Sequence, residues 1–169
     1  LMMELKRTFD IVDLNFKNFQ REDALAVKRY GHWEKYSTAE YKEYVDAFSF
    51  GLMALGFSKG DKIVTVSNNR PEWNFFDNGM SQIGVVHVPI YANQGQKEYE
   101  HILSHSDAKM LMVSSKEFYE KLKSPFDKTA NVESIYSIDI VEGVKNWNEI
   151  IELGRQKADE FRGDLQKIK

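Results

Sequence analysis

An alternation limits what this sequence can fold into more than any other feature. Short apolar runs of four to six residues recur, each separated from the next by a stretch of helical periodicity. The run 62–66, Lys-Ile-Val-Thr-Val, is too apolar for an exposed edge strand. Pro71 follows, suited to a first helical turn where a missing amide costs nothing. Glu72 sits against the positive end of that helix dipole, and Trp73, Phe75, Phe76 and Met80 are core candidates up to the stop at Gly84. A strand over 85–90, a helix over 97–104, a strand over 109–113, a helix over 115–122, a strand over 132–138 and a helix over 147–153 continue the pattern. Strand, helix, strand at this spacing predicts βαβ units: an α/β fold with a mainly parallel sheet flanked by helices.

The first sixty residues read differently. Thr8 is placed to cap a short helix whose Phe9, Val12, Phe16 and Phe19 recur at steps of three and four. Core packing is the simplest reading of that face; a homodimer contact or a membrane-surface face is the alternative. Residues 24–28 and 33–36 form two strands around Tyr30-Gly31-His32, an N-terminal β-hairpin. Ser37 and Glu40 make a capping box for a helix that aligns Tyr41, Val45, Phe48, Leu52 and Leu55 and stops at Gly56. At the other end, 154–169 is charged and helical but weakly amphipathic, and reads as a connector.

Composition removes several function classes. With 169 residues, 42% of them hydrophobic and 13% aromatic, the chain can bury a core as one domain. A net charge of −3 gives no basic excess to bind nucleic acid. No apolar run approaches the ~20 residues of a membrane span, and Leu1-Met2-Met3-Glu4 opens no signal-peptide core. The absence of cysteine excludes disulfides, thiol catalysis and thiolate-held metal. These features point to a cytoplasmic protein, with peripheral membrane association as a variant.

Reactive motifs are sparse. Neither G-x-G-x-x-G nor G-x-x-x-x-G-K-[ST] occurs; Gly51 and Gly56 are five apart, but Phe57 follows and both belong to a helix. His101 and His105 share a helix face without a neighbouring Glu, which favours a solvated face over zinc. His87 reads as a hydrogen-bonded strand residue rather than a base. Ser67, Ser114 and Ser115 lie at strand ends without a nucleophile elbow, and no two carboxylates pair as acid and base. No metal site is expected. Parallel sheets bind ligands beyond the carboxyl ends of their strands, which marks three corners: 67–70, 91–96 and 114–116.

Several motifs taken in order resemble a family. Tyr36-Ser37-Thr38-Ala39-Glu40-Tyr41, Leu55-Gly56 through Gly60-Asp61, Asn69-Arg70-Pro71-Glu72-Trp73 and Ile83-Gly84-Val85-Val86-His87-Val88-Pro89-Ile90-Tyr91 resemble core motifs of AMP-forming acyl-CoA synthetases. The Arg-containing corner resembles the long-chain fatty acid–CoA ligases. The likeness covers about 24–115 and fades beyond. It implies an N-terminal subdomain, 1–169, of a larger synthetase fold. The family's ATP-gripping loop, ribose-binding Asp and catalytic Lys have no counterpart in these residues, so no catalytic residue is placed and the chain alone is expected to be inactive.

The implied reaction joins a fatty acid or other carboxylic acid to coenzyme A. ATP and Mg²⁺ serve the first step, which gives an acyl-adenylate; coenzyme A then displaces AMP. The remainder of the polypeptide would be this chain's partner, and neither ATP nor coenzyme A is expected to bind it tightly alone. The resemblance suggests Tyr91, Ala92 and Asn93 as coenzyme A contacts, through stacking and hydrogen bonding, with Lys116 and Lys121 near its phosphates or simply solvated. Asn68 or Asn69 reads as the cap of the corner helix. A stand-alone, non-catalytic binding module is the reading from another class.

Overall fold

The computed structural model describes residues 5–169. Thirteen elements follow in order: α1 (Asp10–Asn18), β1 (Leu25–Arg29), β2 (His32–Tyr36), α2 (Thr38–Ala54), β3 (Lys62–Val66), α3 (Pro71–Gln82), β4 (Val86–Ile90), α4 (Gln96–His105), β5 (Met110–Val113), α5 (Lys116–Asp127), β6 (Ser134–Ser137), β7 (Lys145–Asn146) and α6 (Trp147–Ile168). β1 and β2 form an antiparallel hairpin whose turn places Tyr30 and Gly31 at positive φ. The other five strands make one parallel sheet in the order β4-β3-β5-β6-β7.

Strand alternation divides the core. Ile63, Met110, Met112 and Tyr136 point to one face, against α2, α3 and α6. Val64, Val66, Leu111 and Val113 point to the other, against α4 and α5. The result is a three-layer α/β/α body with the hairpin beside it, as the alternation predicts.

α2 and α6 approach to backbone contact. A Cβ built on Gly154 would lie 1.8 Å from the Ala47 carbonyl oxygen, and one on Gly51 2.1 Å from that of Ile150. Glycine is required at both positions because no side-chain rotation relieves a clash with backbone. The capping box at the start of α2 forms as expected: Ser37 Oγ accepts from the Glu40 amide and the Glu40 carboxylate accepts from the Ser37 amide.

Several expectations are corrected. Residues 154–169 are not a connector: they complete α6, bury Gly154 and Leu165, and end with Lys169 Nζ donating to Asp13 and Gln82. Thr8 caps nothing; Phe9 holds the cap position without a side-chain bond, and the Asp10 carboxylate accepts from the Lys6 and Arg7 amides instead. Phe9 and Val12 are buried, but Phe16 and Phe19 face solvent, so only half of that stripe is core. Leu55 is exposed, past the buried face of α2. Trp73 is half-buried and lies against His87, ring centres 5.0 Å apart. α5 runs to Asp127 through Pro125, beyond the expected 122, and β7 is a two-residue strand that no periodicity signals.

Candidate functional site

β3, β5 and β6 end side by side, and one residue joins the loops beyond them. Arg70 holds the cap position of α3 in extended conformation, with no side-chain cap bond. The Asn cap expected at 68 or 69 is therefore absent. The Asn68 amide donates instead to Ser114 Oγ at 3.3 Å. Arg70 turns its guanidinium across the sheet end. Nε and Nη2 donate to the two Glu72 oxygens at 2.9 and 3.0 Å, while Nη1 donates to the Ser114 carbonyl at 3.1 Å and to Asp139 Oδ1 at 3.0 Å.

Ser114 is the receiving hub. It is buried, and its amide donates to the Val66 carbonyl. Its carbonyl accepts from the Asp139 amide as well as from Arg70. Glu72, with 3% of its side chain exposed, also accepts from Arg29 on the hairpin, and Arg29 Nη1 donates to Glu34 at 2.9 Å. Tyr36 closes the chain by donating to Glu34 at 2.8 Å.

Burial works against the charge on Glu72, but the hydrogen bonds and charge of Arg70, then Arg29, outweigh it and hold this carboxyl below the usual carboxylate range. Burial likewise opposes the charge on Arg70, and Glu72 more than offsets it, raising the guanidinium. Burial, then the bond to Glu34, pushes the Tyr36 hydroxyl up.

The second corner follows β4. A groove of about 440 Å³ is lined by Pro89, Ile90, Tyr91, Gln94, Lys97, Glu98, His101 and Ile102. Tyr91 is 80% exposed at its rim. Ala92 and Asn93 are not part of the lining; the Ala92 carbonyl accepts from the buried Tyr99 hydroxyl at 3.2 Å, which fixes the loop. Lys116 opens α5 after β5 and is exposed. β3 separates the strands that carry these two corners, so Tyr91 and Lys116 flank the Arg70 loop across about 10 Å of sheet. Lys121 is paired with Glu117 at 2.6 Å on the solvent side of α5, which fits a solvated lysine.

His87 bridges Thr65 Oγ1 at 2.6 Å and Asp77 Oδ1 at 2.8 Å, in line with its reading as a hydrogen-bonded strand residue. His101 and His105 stack with ring centres 4.1 Å apart, and among the described residues no group of three or more metal-ligating side chains occurs. Sequence reasoning missed Ser114 as a hub and the Arg29–Glu72 pair, whose members lie 43 positions apart. A serine closing an apolar strand was the only local hint of the first.

The AMP-binding enzyme family matches residues 16–166. The chain belongs to this family. Among curated relatives, a long-chain fatty acid–CoA ligase, FadD15 of Mycobacterium bovis, is 32% identical over 85 residues, 50% of this chain and 14% of that ligase. Fatty acyl-CoA synthetase A of Dictyostelium discoideum is 35% identical over 44% of this chain and 11% of its own length. Among solved structures, the anthranilate CoA ligase AuaEII in complex with anthranoyl-AMP has a TM-score of 0.73 at 21% identity, covering 87% of this chain and 27% of the ligase. A long-chain fatty acid–CoA ligase from Archaeoglobus fulgidus, FadD1, has a TM-score of 0.72 at 23% identity, covering 86% and 29%. The chain thus spans under a third of these AMP-binding relatives, and its three-layer body is a part of their fold.

Proposed function

We propose that residues 1–169 form the N-terminal subdomain of a long-chain fatty acid–CoA ligase, which converts a fatty acid, ATP and coenzyme A into acyl-CoA, AMP and pyrophosphate through an acyl-adenylate. The observation that carries this reading is the match to the M. bovis long-chain ligase inside a family match running almost the length of the chain. The Dictyostelium fatty acyl-CoA synthetase supports it. In this reading the subdomain makes no acyl-adenylate alone.

The part assigned to this chain is the coenzyme A side. The exposed Tyr91 ring offers a flat face for stacking on adenine, with Asn93 beside it as a hydrogen-bonding group and Ala92 holding the loop through Tyr99. Lys116 offers a point charge to phosphate. The described residues present no metal-binding cluster to fit the Mg²⁺ of this chemistry, so they are given no role in holding it. In this reading the protein works in the cytoplasm. Among the described residues no helix is long and apolar enough to cross a membrane.

A different carboxylic acid is the second reading, favoured by a 4-hydroxybutyrate–CoA ligase 2 from Metallosphaera sedula that is 37% identical over 81 residues. Both are tested by expressing the full-length polypeptide and measuring acyl-CoA formation over carboxylic acids of increasing length. Turnover that rises with chain length supports the first reading. Turnover confined to short hydroxy acids supports the second.

A further inference from the structure

We propose that Arg70 is a positioning residue for the coenzyme A side of the site, acting through the Ser114 carbonyl and Asp139 on the origin of α5, and held in place by Glu72 and Arg29. The inference rests on the functional reading above and adds a residue that touches no substrate in it.

The geometry makes the case. α5 begins at Lys116, two residues after Ser114, and Ser115 caps it by accepting from the Phe118 amide. Where Ser114 sits therefore sets where Lys116 and the first turn of α5 sit. Ser114 is already tied to β3 through the Val66 carbonyl and to the β3–α3 loop through Asn68. Arg70 adds a tie to both strands beyond, because one Nη1 group serves Ser114 on the β5 side and Asp139 on the β6 side. Only a planar fork can make these bonds while Nε and Nη2 engage Glu72; a lysine ammonium at this position offers a single centre.

The anchor is firm on the other side. Glu72 is almost wholly buried and receives two guanidinium groups, one from the hairpin, so Arg70 cannot swing out without leaving a carboxylate short of a partner in a dry site. The corner Asn69-Arg70-Pro71-Glu72 is thus a brace between the hairpin and three strand ends. What it braces is the strand-end corner from which Lys116 and the first turn of α5 start.

Three substitutions test this in the full-length enzyme. Asp139 is 54% exposed, so Asp139→Ala removes one end of the brace without stranding a buried charge. Arg70→Lys keeps the charge and removes the fork. Pyrophosphate exchange reports adenylate formation, acyl-CoA formation reports the coenzyme A step, and a melt reports folding. Positioning predicts that Asp139→Ala raises the KM for coenzyme A about tenfold. Exchange should stay within about twofold, and Tm within about 2 °C. Arg70→Lys should raise that KM further, and Asp139→Glu should restore it. An unchanged KM for coenzyme A in Asp139→Ala and Arg70→Lys, or rates that fall in step with Tm at constant KM, overturns the proposal while an active wild type keeps the functional reading. A wild-type enzyme that forms no acyl-CoA overturns both.

Discussion

The contact between α2 and α6 gives the sharpest stability prediction, because two glycines of one helix should respond with opposite sign. In Gly154→Ala the new Cβ would lie 1.8 Å from the Ala47 carbonyl oxygen, where real Cβ contacts stay above 3.0 Å, so the helices must part by 3.0 − 1.8 = 1.2 Å or more. A radial gap of 0.5–1 Å forfeits roughly a quarter to a half of a van der Waals contact. The loss falls on Phe48, Phe50, Trp147, Ile150 and Ile151, all in the same buried cluster. Overpacking of this kind costs about 1–3 kcal/mol and sometimes more, while alanine returns about 1 kcal/mol of helix propensity. With backbone on both sides of the clash, the upper part of the range applies, and the net destabilisation is about 2 kcal/mol. Gly163, on the same helix, has nothing within 4 Å of a built Cβ and is exposed. Gly163→Ala should therefore stabilise by about 0.5–1 kcal/mol. Urea denaturation followed by circular dichroism reads both, with the midpoint falling for Gly154→Ala and rising for Gly163→Ala. A Gly154→Ala protein as stable as the parent would refute the argument that this contact needs glycine.

Other outcomes follow from named contacts. Ser37→Ala removes the side-chain half of the α2 capping box and should cost about 1 kcal/mol by the same denaturation assay. Glu72→Gln should cost about 2–3 kcal/mol, less than stripping a wholly unpaired buried ion because Arg29 keeps Glu34 and Arg70 keeps Asp139. Because the folded state holds Glu72 below its ordinary 4.5, its ionic contribution is present above that value and disappears as pH falls through the folded pKa. The urea midpoint should therefore drop below about pH 5, less steeply in Glu72→Gln than in the parent; parallel profiles would refute this. Tyr91→Ala in the full-length enzyme should raise the KM for coenzyme A with little change in Tm, and an unchanged KM removes Tyr91 from the site.

The body of the fold is legible because its signals are local. The apolar run Ile63 to Val66, Pro71 at a first turn, the Ser37–Glu40 box and the stop at Gly56 each encode an element within a few residues. What the sequence hides is set by partners far along the chain. The tail 154–169 does carry an apolar stripe, Ala158, Phe161 and Leu165 at steps of three and four, but its first contact is made by bare glycine against Ala47, which a hydrophobic pattern does not register. Phe16 and Phe19 match the period of Phe9 and Val12, yet α1 ends at Asn18 and both rings stay exposed at the rims of grooves against α2. The corner Ser67 to Trp73 is a middle case. Its turn and helix start are readable, but the reach of Arg70 to Ser114 and Asp139 depends on strand order. The rule for parallel sheets marks the corner 91–96 from the sequence, and a groove lies beside that corner.

The central claim is that this family member is the front part of a long-chain ligase. Its most direct test is the rate of acyl-CoA formation by the full-length polypeptide with ATP, coenzyme A and saturated fatty acids from short to long. The account predicts AMP and acyl-CoA in equal amounts, with kcat/KM rising toward the long chains. Absence of acyl-CoA with every acid, or a maximum among the short ones, would contradict it.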